Sequence, residues 1–85
     1  MKINVKFFAA LHDMTGRREL DLEVRKGLTV GELYRDLGVR FPRLADYSGS
    51  LMYSVNAEYA PADYPLGDGD EVAFIPPVSG GAHAH

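Results

Sequence analysis

The chain has 85 residues, of which 46% are hydrophobic and 25% charged, and these values predict one globular domain and exclude a disordered chain. It contains no cysteine, which excludes disulfides, thiolate metal sites and a cysteine nucleophile. No apolar run approaches the roughly 18 residues of a membrane span, and the first residues lack a signal peptide's apolar stretch. We therefore expect a soluble, cytoplasmic protein with no membrane partner.

The net charge of −3 is unevenly distributed along the chain. All nine lysines and arginines lie at or before Arg43, and six acidic residues follow it. Because no basic stripe alternates with aromatic residues, we do not expect binding to nucleic acid. The acidic second half could attract a basic protein partner, or it could simply be a solvated surface.

Two stretches in the first part of the chain alternate between apolar and other residues. Residues 2–9 and 18–25 both show this period of two, which predicts strands with one buried face. The segment HDMTG between them consists of turn residues and ends in Gly16. The pattern predicts an antiparallel hairpin with a longer loop.

A helical period follows the hairpin, with apolar residues at Val30, Leu33, Leu37 and Phe41. Thr29 and Glu32 have the spacing of a capping box, which predicts a helix start near Val30. Pro42 disfavours helical backbone in the residue before it, so the helix should end by Phe41.

Shorter stretches at 51–55, 58–60 and 71–75 predict further strands, and the adjacent prolines Pro76 and Pro77 end the pairing of the last one. This order of elements predicts an α+β domain. The β-grasp (ubiquitin-like) fold fits best, with a mixed sheet and one main helix packed on one face. We assign residues 1–77 to this domain and residues 78–85 to a flexible tail.

Two large apolar side chains, Phe8 and Ile75, fall on the otherwise polar or small side of their strands. The first and last strands of a β-grasp sheet are neighbours, so these residues would form one exposed apolar patch, with Tyr59 as a further member. Exposed patches of this kind often mark partner surfaces. In the alternative, a strand end or a loop covers them.

Signatures of catalysis and metal binding are weak. The turn GDGDE lacks the further ligands of an EF-hand loop, and His12 has no triad spacing around it. His83 and His85 could chelate a metal, although such a pair in a tail is more often unstructured. We predict no metal site and no stand-alone catalytic machinery.

The stretch PLGDGDEVAFIPPVSGG at 65–81 resembles the C-terminal signature of the MoaD/ThiS sulfur-carrier family. KFFA at 6–9 and SVNAEY at 54–59 resemble that family at matching distances, and the double proline favours its molybdopterin branch. The resemblance implies that the Gly81 carboxylate is adenylated and converted to a thiocarboxylate. This group would donate sulfur within molybdopterin synthase, in molybdenum cofactor biosynthesis, with the chain as the non-catalytic small subunit.

The resemblance also implies partners. An E1-like (MoeB-like) adenylating enzyme would use ATP, while the chain itself binds no cofactor. A large synthase subunit (MoaE-like) would receive the tail, in a heterotetramer. Gly80 and Gly81 would thread a narrow tunnel, because glycine has no Cβ. The residues expected to contact partners are Phe8, Tyr59, Ile75, Pro76, Pro77 and Val78.

The sequence departs from the family pattern after Gly81, because residues 82–85 follow it and the Gly81 carbonyl is then an amide. A peptidase could remove these residues, they could be an addition from expression, or this copy could have lost sulfur transfer and serve as a binding module. Two further alternatives remain: a ubiquitin-like modifier, and a related carrier for tRNA thiolation or cysteine synthesis.

Overall fold

A five-stranded sheet with one long helix against it makes up the fold, as seen in a computed structural model that describes residues 1–8, 10–47 and 51–76. In chain order the elements are β1 (Lys2–Phe7), α1 (Ala10–Thr15), β2 (Glu19–Glu23), α2 (Val30–Arg40), a 3-10 helix (Pro42–Tyr47), β3 (Met52–Val55), β4 (Glu58–Ala60) and β5 (Glu71–Ile75). The predicted tail, residues 78–85, lies outside the described residues.

The strands of the sheet are arranged in the order β2-β1-β5-β3-β4. At its centre β1 and β5 run parallel, and their register aligns Val5 with Val72 and Phe7 with Phe74. The pairs β1–β2, β3–β5 and β3–β4 are antiparallel. The first and last described strands are thus neighbours in a mixed sheet with one main helix, which confirms the predicted α+β, β-grasp fold.

The core lies between α2 and one face of the sheet. Its buried side chains are Ile3, Val5, Phe7, Leu11, Leu28, Val30, Leu33, Tyr34, Leu37, Leu44, Val55, Leu66, Val72 and Phe74. The Phe74 ring packs edge to face with Tyr34 and Tyr53, at centroid distances of 5.0 and 5.7 Å. The apolar stripe of α2 belongs to the same cluster as the buried residues of β1 and β5, which confirms the predicted helix on one face of the sheet.

The start and end of α2 agree with the prediction. The Thr29 hydroxyl accepts a hydrogen bond from the Glu32 backbone N–H at 3.2 Å, and the Glu32 carboxylate accepts one from the Thr29 N–H at 3.0 Å. This is the predicted capping box. At the other end Phe41 has non-helical torsions (φ −127°, ψ 83°), as expected for a residue before proline.

The first turn of α2 is fixed to the segment between β4 and β5. The Val30 N–H donates to the Tyr64 carbonyl at 3.0 Å, and the Gly31 N–H donates to the Ala62 carbonyl at 2.8 Å. These two donors have no partner within the helix, so the segment satisfies them. A Cβ at position 31 would lie 3.0 Å from the Ala62 Cβ, and glycine therefore permits this close approach.

The connection between β1 and β2 differs from the prediction. The strand expected over 2–9 ends at Phe7, and the expected loop contains the helix α1. Leu11 is the reason, because its side chain is fully buried and holds the segment against the core in a helical turn. Gly16, with φ 72°, then reverses the chain into the antiparallel pairing of β1 and β2, which is confirmed.

The 3-10 helix after Pro42 is also absent from the prediction. Leu44 holds it in place, because its side chain is fully buried and its carbonyl accepts a hydrogen bond from the Tyr34 hydroxyl. One buried leucine in a short polar segment gives no periodic signal, so pattern analysis does not detect it.

Truncation of a core residue on α2 should be far more destabilising than truncation of an exposed one. Leu33→Ala removes a fully buried side chain and should lower the free energy of unfolding by about 2–5 kcal/mol. Val39→Ala, on the same helix at 82% exposure, should change it by less than about 0.5 kcal/mol. Urea denaturation of both variants measures the difference, and equal losses would contradict the described packing.

The capping box should make stability depend on pH. The hydrogen bond from the Thr29 backbone N–H is the main cause that holds the pKa of Glu32 below its ordinary value, followed by the bond with the Thr29 hydroxyl, with Arg25 and Arg35 adding to the effect. A lowered folded-state pKa stabilises the fold fully above the ordinary pKa of about 4.3, and this stabilisation is lost as the pH falls through the folded-state value. Glu32→Gln should therefore destabilise the protein more at neutral pH than at about pH 3.

The control for this measurement is Glu58→Gln, which removes the same charge from an exposed strand residue with no role in a cap. Urea denaturation at both pH values gives the two differences in the free energy of unfolding. A loss for Glu32→Gln that does not depend on pH would show that the carboxylate charge does not act through the cap.

Candidate functional site

The candidate site is the face of the sheet opposite α2, and the strand registers determine which side chains share it. Ile75 of β5 is aligned with Met52 of β3. Phe8 follows Phe7, which is aligned with Phe74, so Phe8 lies beside Ile75. Ser54 lies two residues after Met52 in β3, and Tyr59 of β4 is aligned with it. We call Phe8, Met52, Tyr59 and Ile75 the outer patch.

The outer patch is exposed to different degrees. Tyr59 is 73% exposed, Met52 50% and Phe8 48%, whereas Ile75 is half-buried between its neighbours. Phe8 and Tyr59 are therefore exposed, as predicted, and no strand end or loop of the described residues covers them. Ile75 is less accessible than predicted. Three large apolar residues with about half or more of their surface exposed on one face are typical of a protein-binding surface.

Met52 is a member of the patch that the sequence analysis did not select. The signal was present, since a strand that turns Tyr53 and Val55 toward the helix side of the sheet must turn Met52 to the other side. Its membership of the patch depends on the register between β3 and β5, which aligns it with Ile75. Pairing between strands distant in sequence is not visible in a local pattern.

Small side chains lie between the large ones. Ala73 of β5 is aligned with Lys6 on one side and Ser54 on the other, so alanine and serine separate the lysine from Tyr59. Neither of these two side chains rises far above the sheet. This row of the outer face therefore runs from Lys6 over two small side chains to Tyr59.

Polar contacts surround the patch on the β1–β2 side. The Lys6 ammonium lies 3.4 Å from a Glu71 carboxylate oxygen. The Asn4 side-chain amide donates hydrogen bonds to Glu19 at 3.0 Å and to Asp21 at 2.7 Å. These contacts engage acidic side chains of β2 and β5.

The acidic turn before β5 has a structural role. The Asp68 carboxylate accepts a hydrogen bond from the Lys2 N–H at 2.7 Å. Asp70 accepts from the Gly67 N–H at 2.7 Å and from the Asn56 side chain at 2.9 Å. Their oxygens thus bind backbone and amide donors, and the described residues contain no group of three or more potential metal ligands.

His12 lies at the surface of the molecule. It is half-buried on α1, 3.8 Å from Asp13, and lines a depression beside Phe8. The structure thus gives His12 a surface position, and its predicted lack of a catalytic role stays a prediction.

The chain leaves the sheet next to the outer patch. β5 ends at Ile75, and Pro76, which is half-buried, is the last described residue. The predicted site residues Pro77, Val78, Gly80 and Gly81 lie outside the described residues, so their roles remain predictions. Whatever binds the outer patch is therefore close to the start of the segment that carries the two glycines.

Together, the sheet order, the single long helix and the exposed outer patch define a ubiquitin-like protein of the β-grasp class. The sequence model of the ThiS family matches residues 5–81, so its last matched residue is Gly81. A molybdopterin synthase sulfur carrier subunit from Mycobacterium tuberculosis is 45% identical over 84 residues, which cover 95% of this chain and 99% of that one. The chain belongs to the ThiS family.

Solved structures show the same fold. The crystal structure of SAMP1 from Haloferax volcanii has a TM-score of 0.82 at 30% identity, covering 94% of this chain and 99% of that one. A chain in the complex of subunits 1 and 2 of molybdopterin-converting factor from Helicobacter pylori has a TM-score of 0.66 at 23% identity, covering 92% and 96%. At that identity the second likeness concerns the fold alone.

None of the helices in the described ranges has the length and apolar character required to cross a membrane.

Substitution of the patch should leave the fold intact. Phe8→Asp replaces a half-exposed side chain beyond the end of β1 and should change the free energy of unfolding by less than about 1 kcal/mol. Phe7→Ala, one residue earlier, empties a core position and should cost about 3–5 kcal/mol. Thermal and urea denaturation compare the two. Unfolding of the Phe8→Asp variant would place Phe8 in the core.

Proposed function

We propose that this chain is a cytoplasmic sulfur carrier that serves as the small subunit of molybdopterin synthase. The observation that supports this most strongly is the 45% identity to a sulfur carrier subunit of that synthase across 95% of the chain. The family match that ends at Gly81 supports the position of the reactive carboxylate. The outer patch lies next to the point where the C-terminal segment leaves the sheet, and this supports a role in which the chain binds protein partners in succession.

The chemistry takes place on the main chain, which agrees with the lack of cysteine. The Gly81 carboxylate attacks the α-phosphorus of ATP on the activating enzyme, and pyrophosphate leaves. A sulfur nucleophile supplied by a donor then displaces AMP at the carbonyl, and a thiocarboxylate results. In the active site of the large subunit the thiocarboxylate sulfur bonds to the pterin precursor. Water then cleaves the acyl carbon–sulfur bond, so the sulfur stays on the pterin and the Gly81 carboxylate is regenerated.

The residues of this chain deliver the carboxylate. Pro76 and Pro77 have no backbone N–H, so they cannot extend the pairing of β5, and the chain must leave the sheet there. Gly80 and Gly81 have no Cβ, so they fit a narrow passage and adopt backbone torsions that other residues avoid. The folded domain thus provides the docking surface, and the glycines allow the C-terminal segment to enter a partner's active site.

The partners in this proposal dock on the outer patch. An E1-like adenylating enzyme and the large synthase subunit both need the C-terminal segment in their active sites, and the patch lies beside its start. The relatives that are named sulfur carrier subunits of molybdopterin synthase support a further subunit of that synthase as the partner. Phe8→Asp should therefore abolish binding to both partners while the fold persists.

Residues 82–85 must be removed before activation, because the Gly81 carbonyl is otherwise an amide. An amide offers no carboxylate oxygen to the α-phosphorus of ATP. We therefore include a peptidase that cuts after Gly81 in the proposal.

A second function has one observation in its favour. SAMP1, a small archaeal modifier protein, is 30% identical and has a TM-score of 0.82. As a modifier, the chain would be joined through Gly81 to lysines of other proteins, which also requires a free Gly81. Conjugates of higher mass in the host, lost when Gly81 is deleted, would favour this function over the synthase subunit.

Activation should depend on chain length. With ATP and the activating enzyme of the same host, the 85-residue chain should support no ATP–pyrophosphate exchange, and a chain that ends at Gly81 should support it. Both should bind the enzyme, since the outer patch is the same in both. Equal exchange by the two chains would contradict the requirement for processing.

A substitution at the last glycine provides the control for this comparison. Gly81→Ala in the shortened chain adds one Cβ at the reactive end and should impair sulfur transfer much more than binding. Equal losses in both would mean that the terminal residue acts in docking and not in threading.

A further inference from the structure

An open depression of about 430 Å³ lies beside Phe8, where β1, β2 and α1 meet. The residues that line it are Lys6, Phe7, Phe8, His12, Arg18 and Glu19. It borders the outer patch, because Phe8 belongs to both. Its rim therefore lies next to any protein that covers the patch.

The charged groups around the depression differ in what they already contact. Lys6 is paired with Glu71 at 3.4 Å, and Glu19 accepts a hydrogen bond from the Asn4 side chain at 3.0 Å. The Arg18 guanidinium, by contrast, has no carboxylate partner among the described residues. It is an exposed cation next to an exposed aromatic ring.

The backbone of Arg18 is nevertheless fixed. Its carbonyl accepts a hydrogen bond from the Phe7 N–H at 2.9 Å, at the end of the β1–β2 pairing. The side chain thus starts from a rigid position at the edge of the depression. A guanidinium presents a planar fork of donors that matches a carboxylate, and arginine and aromatic residues are enriched in the energetically dominant contacts of interfaces.

We propose that the depression receives an aspartate or glutamate side chain of the large synthase subunit, with the Arg18 guanidinium donating to the carboxylate and Phe8 covered by an apolar neighbour of that residue. This inference rests on the proposed function and names the chemistry of the contact. We infer an acidic occupant because the Arg18 guanidinium carries a positive charge that no carboxylate of the described residues pairs with. Among the charged groups of the depression it is the one that a partner can bind without breaking a contact that the chain already makes.

The test compares two adjacent arginines in the full-length chain. Arg17 and Arg18 are both exposed and carry the same charge, but Arg17 does not line the depression. Affinity for the large subunit of the same host is measured by titration calorimetry. Arg18→Ala should weaken binding by about tenfold or more, the scale of a lost hydrogen bond to a charged group. Arg17→Ala should weaken it by less than about threefold.

A conservative variant tests the shape of the contact. Arg18→Lys keeps the charge but loses the planar fork of the guanidinium. Compared with Arg18→Ala, it should therefore recover the association rate of the native chain, but not its slow dissociation. Surface plasmon resonance at two salt concentrations measures both the association and the dissociation rates. Equal behaviour of Arg18→Lys and the native chain would overturn the proposed paired contact.

The outcomes separate this inference from the proposed function. If Phe8→Asp abolishes binding while Arg18→Ala equals Arg17→Ala, the patch docks the subunit and the carboxylate site is wrong. If none of the variants binds less well, the docking surface itself is wrong. If the native chain does not bind the large subunit, the proposed function itself is wrong.

Discussion

The parallel pairing of β1 with β5 is the constraint on which the rest of the molecule depends. It joins residues about seventy positions apart, so its entropic cost is met only when the core behind it forms. The turn before β5 strengthens it, since Asp68 accepts from the Lys2 N–H and the Gly69 N–H donates to the Lys2 carbonyl. The same pairing aligns Val5 with Val72 under α2 and places Phe8 beside Ile75 on the other face. The alignment of β1 with β5 therefore determines both the core on one face of the sheet and the candidate site on the other.

Because α2 covers one face of the sheet, the opposite face is open and can bind a partner. Successive side chains of a strand point to opposite faces of the sheet, so residues between core positions point to the open side. In β2 these are acidic and in β1 mostly polar, as a solvated face requires. The large apolar residues depart from that pattern only near the end of β5 and on the neighbouring strands. Such a local departure gains nothing for the folded chain alone, and this is why it indicates a partner.

Most of the fold could be predicted from local patterns. The α2 stripe and its capping box predicted a helix that the structure places at Val30–Arg40. Alternation located four of the strands, and the turn after Val55 located the fifth, β4. What the patterns missed depends on contacts remote in sequence. Leu11 and Leu44 stabilise short helical segments through burial in the distant core, and Met52 joins the outer patch only through its alignment with Ile75. Arg18 was missed for a related reason, because its lack of a partner appears only when the surrounding carboxylates are seen to be engaged.

Under the proposed function, the distance between docking and chemistry is set by the chain itself. Residues 76–81 can extend to about 20 Å at most. The patch and Pro76 are adjacent in the sheet, so a partner that covers the patch must have its reactive centre within that distance of the docking site. A longer segment would reach more centres but would lose precision, because its end would sample a larger volume. The short proline-started segment thus favours partners that bind the outer patch and the segment together. One docking surface can then serve the activating enzyme and the large subunit in turn, provided that each releases the chain before the other binds.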